Sequence, residues 1–307
     1  MRPASLLPLA VLLLAGCAVP DARPANAGGN DFPVTQRDAL GNRVTVRAEP
    51  QRIVSLAPAM TEILFALGLG NRIVGVTAYC DYPAAAKAKP KIGGIVNPSV
   101  ERILAQAPEL ALGTRLNPRP VLRTLARAGI PTYAADARDF DQVMACIRAV
   151  GALTGRRPQA AQLVAAARAR LLAVRKQVAG LAEPTVIMIY QQDPLWVAGA
   201  DTFADHLLRL AGARNAARGI QGYKQYSVEM LLAQDPEVIL LSSMAGGEEA
   251  DQVRAFVERP SMRGLSAVRH RRVYVINADT VARAGPRIVE GIEVIAARLH
   301  PEAFKHR

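Results

Sequence analysis

Two glutamates stand at matching places in a stretch that occurs twice. Ser99-Val100-Glu101-Arg102-Ile103-Leu104-Ala105-Gln106-Ala107-Pro108-Glu109-Leu110 and Ser227-Val228-Glu229-Met230-Leu231-Leu232-Ala233-Gln234-Asp235-Pro236-Glu237-Val238 share the pattern S-V-E-x-h-L-A-Q-x-P-E-h. In each copy the Ser suits an N-cap and the Glu falls in the first turn, where the helix dipole favours a carboxylate. Helix-start chemistry alone accounts for either glutamate singly. Recurrence points further, to a two-point acidic contact, because two copies of a unit present two copies of any surface feature. Catalytic signatures are missing: there is no G-x-S-x-G elbow, no G-x-x-x-x-G-K phosphate loop and no H-E-x-x-H pair. The histidines, His206, His270, His300 and His306, are scattered, which argues against a His-built metal site. From these residues alone no catalytic residue, metal or resident cofactor is read, and nothing argues for an enzyme.

The repeat sets the architecture. A long polar helix is predicted over Pro158 to Leu181, with Pro158 in its first turn and Gly180 at its end. Its leucines and valines (Leu163, Val164, Leu171, Leu172, Val174, Val178) do not recur cleanly every seven residues, so no coiled coil is expected. Strand Arg52 to Leu56 before this helix corresponds to Thr185 to Tyr190 after it, and Pro131 to Tyr133 to Arg272 to Asn277. Strands alternating with helices predict an α/β fold. It has two similar lobes with mainly parallel sheets, joined by one long rigid helix, with a ligand cleft between the lobes. The expected boundaries are 32–156 for the first lobe, 157–181 for the connecting helix and 182–307 for the second lobe. Ligands of open parallel sheets bind beyond the carboxyl ends of the strands. Those ends carry Tyr79, Thr114, Gln191 to Trp196 within a loop read over Gln191 to Gly199, Ser242 and Asp279 to Arg283. Trp196 is the one tryptophan, placed by Pro194-Leu195-Trp196 in a strand-end loop, where it serves either the cleft or the core. Cys80 and Cys146 both precede the connecting helix, so an oxidising compartment would permit a bridge within the first lobe.

With 307 residues, half of them hydrophobic, the chain can bury two ordinary cores. Its net charge of +12 has the size of a nucleic-acid or membrane signature, but the arginines are scattered through both halves without a sustained basic run, so no nucleic-acid partner is expected. Arg2, the short apolar run Leu6 to Leu14 and the small residues after it have the layout of a secretory signal over 1–17. The run ends in Leu14-Ala15-Gly16-Cys17, which closely resembles the bacterial lipoprotein box, in which the Cys is acylated. That resemblance implies a lipid anchor at Cys17, with residues 18–31 as a flexible tether.

From Phe32 onward the chain resembles the periplasmic substrate-binding proteins of ABC importers, of the class with a helical backbone, and within it the cobalamin-binding branch. The residues that carry the likeness are Arg52-Ile53-Val54-Ser55-Leu56-Ala57-Pro58 with Thr61-Glu62, Tyr79 to Pro83, Gly93-Gly94 with Asn97-Pro98-Ser99-Val100-Glu101, the second S-V-E, and Arg283-Ala284-Gly285-Pro286-Arg287. The resemblance implies that Glu101 and Glu229 dock onto arginines of the membrane permease, one per lobe. It implies a cleft in which Tyr79, Trp196 and Tyr223 present rings and Asp279 and Arg283 hydrogen-bond amide groups around a corrin ring. The resemblance thus implies a binding protein rather than an enzyme: a monomeric, periplasmic, membrane-anchored lipoprotein that delivers cobalamin or a related corrinoid. Two positions depart from the pattern: Ile95 and Thr114 stand where cobalamin binders can carry Trp. Haem-binding relatives tend to place a Tyr before the first S-x-E helix, and here Gly94-Ile95-Val96 occupies that place. Haem or an iron-siderophore complex on the same fold is the first alternative, and a secreted hydrolase using the cleft is the second.

Overall fold

A computed structural model describes residues 32–243 and 248–304; the signal segment, Cys17 and the tether lie outside the described residues. The chain opens with an antiparallel ribbon, β1 (Val34–Arg37) and β2 (Arg43–Val46). Asp38 builds its turn, accepting the backbone N–H groups of Leu40 and Asn42 at 3.0 and 2.7 Å, an Asx-type arrangement. Val34, Val44 and Val46 point inward while Thr35, Arg37, Arg43 and Thr45 stay exposed, the period-2 pattern of a half-buried ribbon.

The first lobe continues as β3 (Ile53–Ser55), α1 (Pro58–Ala66), β4 (Ile73–Val76), α2 (Val100–Ala105), β5 (Leu110–Thr114), α3 (Arg119–Arg127), β6 (Thr132–Ala135) and α4 (Phe140–Leu153). Its four strands lie in the order β4-β3-β5-β6, all parallel. Because helices cover both faces, β3 is buried throughout.

The connecting helix α5 spans Arg157–Val178. It stops short of the predicted Leu181 because Ala179 leaves helical geometry at φ −61°, ψ 127° and Gly180 turns the chain at φ 77°. Its buried side chains are Ala160, Val164, Ala167, Leu171 and Val174, a spacing of four and three in alternation. The leucines and valines alone hide this seam because alanines hold two of its positions. Small residues let the helix come close: a Cβ added at Gly151 of α4 would lie 2.4 Å from that of Ala160.

The second lobe runs β7 (Thr185–Gln192), β8 (Leu195–Ala198), α6 (Phe203–Leu210), β9 (Arg214–Asn215), β10 (Tyr223–Gln225), α7 (Val228–Gln234), β11 (Val238–Ser243), α8 (Glu249–Val257), α9 (Ser266–Arg269), β12 (Val273–Asn277), α10 (Ala278–Ala282) and α11 (Ile288–Leu299). The sheet order is β10-β8-β7-β11-β12, with β9 beside β7. The segment β7-β11-β12 repeats β3-β5-β6 of the first lobe, parallel in both, and each S-V-E helix leads into the middle strand of its triplet. One expectation fails here. Residues 191–199 form no simple loop, because Asp193 and Pro194 turn β7 back into β8 as an antiparallel hairpin, and β10 adds a further antiparallel strand.

Among the described residues, three apolar clusters form the interior. Two lie under the outer face of one lobe each. The largest is continuous from Met60, Ile63 and Leu64 of α1, through Ile147 of α4 and Val164 of α5, to Leu207 of α6 and Ile292 of α11. The lobes therefore share a core along the connecting helix, and a wide hinge opening would have to expose part of it to water.

Candidate functional site

The two S-V-E glutamates sit in matching local structure. Ser99 Oγ accepts the backbone N–H of Arg102 at 3.2 Å, and Ser227 Oγ that of Met230 at 3.1 Å. In both helices the glutamate is exposed, the residue two positions later (Ile103, Leu231) is buried, and the next leucine (Leu104, Leu232) is exposed again. Backbone N–H groups and the Ser227 hydroxyl hold the Glu229 carboxyl below the usual carboxylate range. Each glutamate thus stands exposed in the first turn of a capped helix.

At the carboxyl ends of the strands, the second lobe carries an aromatic group. Trp196 lies in β8, opposite Gln191 of β7 and Gln225 of β10, and is 37% exposed. It is a strand residue rather than a loop residue, and it is not in the core; its strand neighbours Leu195 and Val197 are buried instead. Tyr223 pairs with Ala198 in β10, which puts its side chain on the same sheet face as Trp196. Its ring meets Tyr190 edge to face, centroids 5.1 Å apart at 87°, the geometry that aromatic quadrupoles prefer. Burial pushes the phenols of Tyr190 and Tyr223 up, so both stay neutral near pH 7. On the first lobe, Tyr79 follows β4 and is more than half exposed, as are Val96 and Leu116 on neighbouring strand-end loops. Buried Asn117 fixes this rim: its amide donates to Leu56 O at 2.9 Å and Ile95 O at 2.8 Å, while Oδ1 accepts the Thr114 N–H at 2.7 Å.

Charged residues join the two rims. Glu62 of α1, 4% exposed, receives a two-pronged bond from Arg287, Nε to Oε2 at 2.9 Å and Nη2 to Oε1 at 2.7 Å. Arg283 Nη1 reaches Glu62 at 3.2 Å and Asp81 at 2.8 Å, and its Nη2 reaches Asp279 at 2.7 Å. The Arg287 guanidinium also lies over the Tyr82 ring, 3.9 Å from its centroid, a cation–π contact. Three carboxylates and two guanidiniums thereby pin the first lobe to the second. Burial pushes the Asp279 carboxyl up, with Arg283 opposing; at Asp81 burial acts the same way, but the Arg283 bond outweighs it and the carboxyl is held down. The Tyr190 hydroxyl donates to Val281 O at 3.3 Å. This links the aromatic group to the same short helix α10 whose end bears Arg283.

Of the predicted ligand residues, the structure links Asp279 and Arg283 directly, sets Arg283 beside the Tyr79 carbonyl at 3.5 Å, and joins Tyr223 to them through Tyr190. Asp279 and Arg283 already pair with each other and across the lobes, so their charged ends are shared between the lobe contact and any ligand. Glu62, Asp81, Tyr82, Tyr190 and Arg287 escaped the sequence reading of the site. A signal was present: a glutamate inside the apolar run Pro58 to Ala66 must be paired to be buried. Cys80 and Cys146 are both buried and free. Cys80 sits 3.1 Å from the hydroxyls of Thr61 and Thr77, and burial pushes the Cys146 thiol up to about 12. Recesses of about 460 and 720 Å³ exist elsewhere, and neither includes a residue of the rims. Among the described residues no helix is long and apolar enough to cross a membrane.

Comparison with known proteins fits this arrangement. Residues 53–280 match the periplasmic binding protein family model. An uncharacterised ABC transporter substrate-binding lipoprotein of Bacillus subtilis, YvrC, is 34% identical, the match covering 97% of this chain and 96% of that protein. The vitamin B12-binding protein of Photorhabdus laumondii is 28% identical over 82% of this chain and 89% of its own. Among solved structures, the apo form of the periplasmic heme-binding protein RhuT from Roseiflexus sp. RS-1 superimposes with a TM-score of 0.74 at 30% identity, covering 82% of this chain and 99% of that one. The chain belongs to the periplasmic binding protein family. It is an ABC transporter substrate-binding protein with the two-lobed α/β fold of that class, and its relatives serve transport rather than catalysis.

Proposed function

We propose that the protein captures cobalamin or a related corrinoid between the aromatic rims of its two lobes and hands it to an importer permease. The observation that carries the reading is the strand-end surface formed by Trp196, Tyr223 and Tyr190 on one lobe and Tyr79 with Tyr82 on the other. Its rings suit a large, flat, amide-fringed ligand, and its floor of Asp279 and Arg283 offers both an acceptor and a donor for carboxamides. Relatives named for vitamin B12 and cobalamin binding support the same choice. Stable anchoring through a lipid on Cys17 and docking through Glu101 and Glu229 complete the reading. Titration of the purified protein with cyanocobalamin tests the ligand, and one-to-one binding lost in Trp196→Ala is the expected outcome.

Haem is the second reading, favoured by the solved heme-binding neighbours at 29–31% identity. It requires an iron ligand, and on the first lobe Tyr79 and Tyr82 are exposed phenols at the rim, as Tyr223 is on the second. A charge-transfer absorption band on adding ferric haem, lost in Tyr79→Phe or Tyr82→Phe, would select it over the corrinoid.

A further inference from the structure

Six exposed arginines on one flank of the first lobe have no counter-ion among the described residues. On the ribbon, Arg37 and Arg43 are register partners facing each other across β1 and β2, with Arg47 continuing the strip. Like charges set directly opposite destabilise a strand pair. On α3, Arg119, Arg123 and Arg127 follow at four-residue spacing, where like charges repel along a helix face. Arg119 also lies in the first turn, at the positive end of the helix dipole. Two separate elements therefore tolerate repulsion, and the two strips meet. Arg43, Arg119 and Arg123 rim one recess of about 460 Å³ with an apolar wall that includes Leu122 and Ile130. The carboxylate among its lining residues, Asp38, is held by the backbone N–H groups of Leu40 and Asn42 and the Asn42 amide. Nothing in the fold uses this concentration of positive charge.

Two further observations indicate what does. The described chain starts at Phe32, beside β1, and residues 18–31 separate it from Cys17; even fully extended, at about 3.4 Å per residue, they reach no more than about 50 Å. An acylated Cys17 would keep the ribbon within that distance of a bilayer. In addition, α3 packs beside α2, the helix that presents Glu101, so a lobe docked through Glu101 brings the α3 flank close to the lipid around its partner. We propose that this flank is a docking surface for an anionic phospholipid bilayer. Its guanidiniums engage lipid phosphates and set the orientation of the lobe on the membrane. The inference goes beyond ligand capture and holds whichever ligand the cleft takes.

The test uses the chain begun at Ala18, which keeps every described element and carries no acyl group. It is floated with vesicles of phosphatidylcholine alone and of an equal mixture with phosphatidylglycerol. Binding to the mixed vesicles only, weakened by added salt, is expected. The triple variant Arg43→Ala, Arg119→Ala, Arg123→Ala should bind on the order of 100-fold more weakly, from about fivefold per charge removed. A control with Arg218→Ala and Arg263→Ala, exposed arginines of the second lobe, should bind as the parent does. Because the triple variant relieves repulsion, it should melt no lower than the parent. Equal binding to neutral vesicles, equal loss in the control, a lower melting point for the triple variant, or no vesicle binding at all would overturn the proposal. None of these results bears on ligand capture, which the cyanocobalamin titration reads separately.

Discussion

Trp196 is set apart from its neighbours by the alternation of a strand: Leu195 and Val197 fill the core of the second lobe while Trp196 stands outward beside Gln225. Trp196→Ala should therefore leave the melting temperature within a degree or two and weaken corrinoid binding by at least about 30-fold, the ~2 kcal/mol typical of an aromatic hot spot. An unchanged affinity would remove Trp196 from the site. Glu62 predicts the reverse pairing of effects. Its carboxylate is buried under two guanidiniums, so Glu62→Ala leaves Arg287 without its main partner, while Arg283 keeps Asp81 and Asp279, at a cost of about 3–5 kcal/mol in stability. Denaturant unfolding measures this, and a loss below about 1 kcal/mol would mean that the ion cluster is incidental. At this scale the sequence was partly legible. The caps of Ser99 and Ser227 and the first-turn glutamates beside them follow from local spacing, and the structure has them. Asp279, four residues away, was legible as a partner of Arg283; its cross-lobe partners were not, because Glu62 lies 221 positions away and Asp81 202, and only the fold brings them together. Arg283 read from sequence was a ligand contact; in the fold it is also a fastening between lobes.

Among the elements, α2 and α7 make the clearest pair, alike in cap, exposure pattern and the strand that follows. If they are the docking points, Glu101→Ala with Glu229→Ala should spare ligand affinity and abolish uptake, and partial loss in each single variant should grow with salt. Normal uptake in the double variant would refute the docking role. A second element contact is sensitive to pH. His206 of α6 accepts the Phe140 N–H at the start of α4, Nε2 at 3.1 Å, so it must be neutral on that nitrogen. Burial, with Arg209 nearby, depresses its pKa against the opposing pull of Asp139. Between this lowered value and the ordinary value of about 6.5, the unfolded chain binds more protons than the folded one. The stability from this contact is present above about pH 6.5 and falls as pH drops through that window. Melting at pH 7.5 and 5.5 should show a larger drop for the parent than for His206→Gln; equal drops would contradict it. Elements also show where sequence reading stopped. The connecting helix was visible from its length and its Pro and Gly ends, but its alanine-rich seam was not, since Ala160 and Ala167 carry little hydropathy signal. The β7-β8 hairpin was missed because its second strand is four residues long and its turn, Asp193 with Pro194, looks the same in a loop.

Across the whole molecule, two lobes share one apolar core along α5 and α11, and an ion cluster fastens them at the floor of the cleft. Such a body should rock rather than hinge, so affinity must come from a surface largely formed in advance. The duplication made the overall plan legible from the sequence: two matching S-V-E stretches and matching strands gave two lobes and one connector. The ligand was less legible, because Ile95 and Thr114 remove two stacking faces that cobalamin binders can carry, and relatives of similar identity bind haem as well as vitamin B12. The central claim is corrinoid capture in the cleft, and the most direct test is calorimetric titration of the chain begun at Ala18 with cyanocobalamin. The account predicts sub-micromolar, one-to-one binding that disappears in Trp196→Ala. Absence of binding by the folded protein, or binding that Trp196→Ala leaves intact, would contradict it.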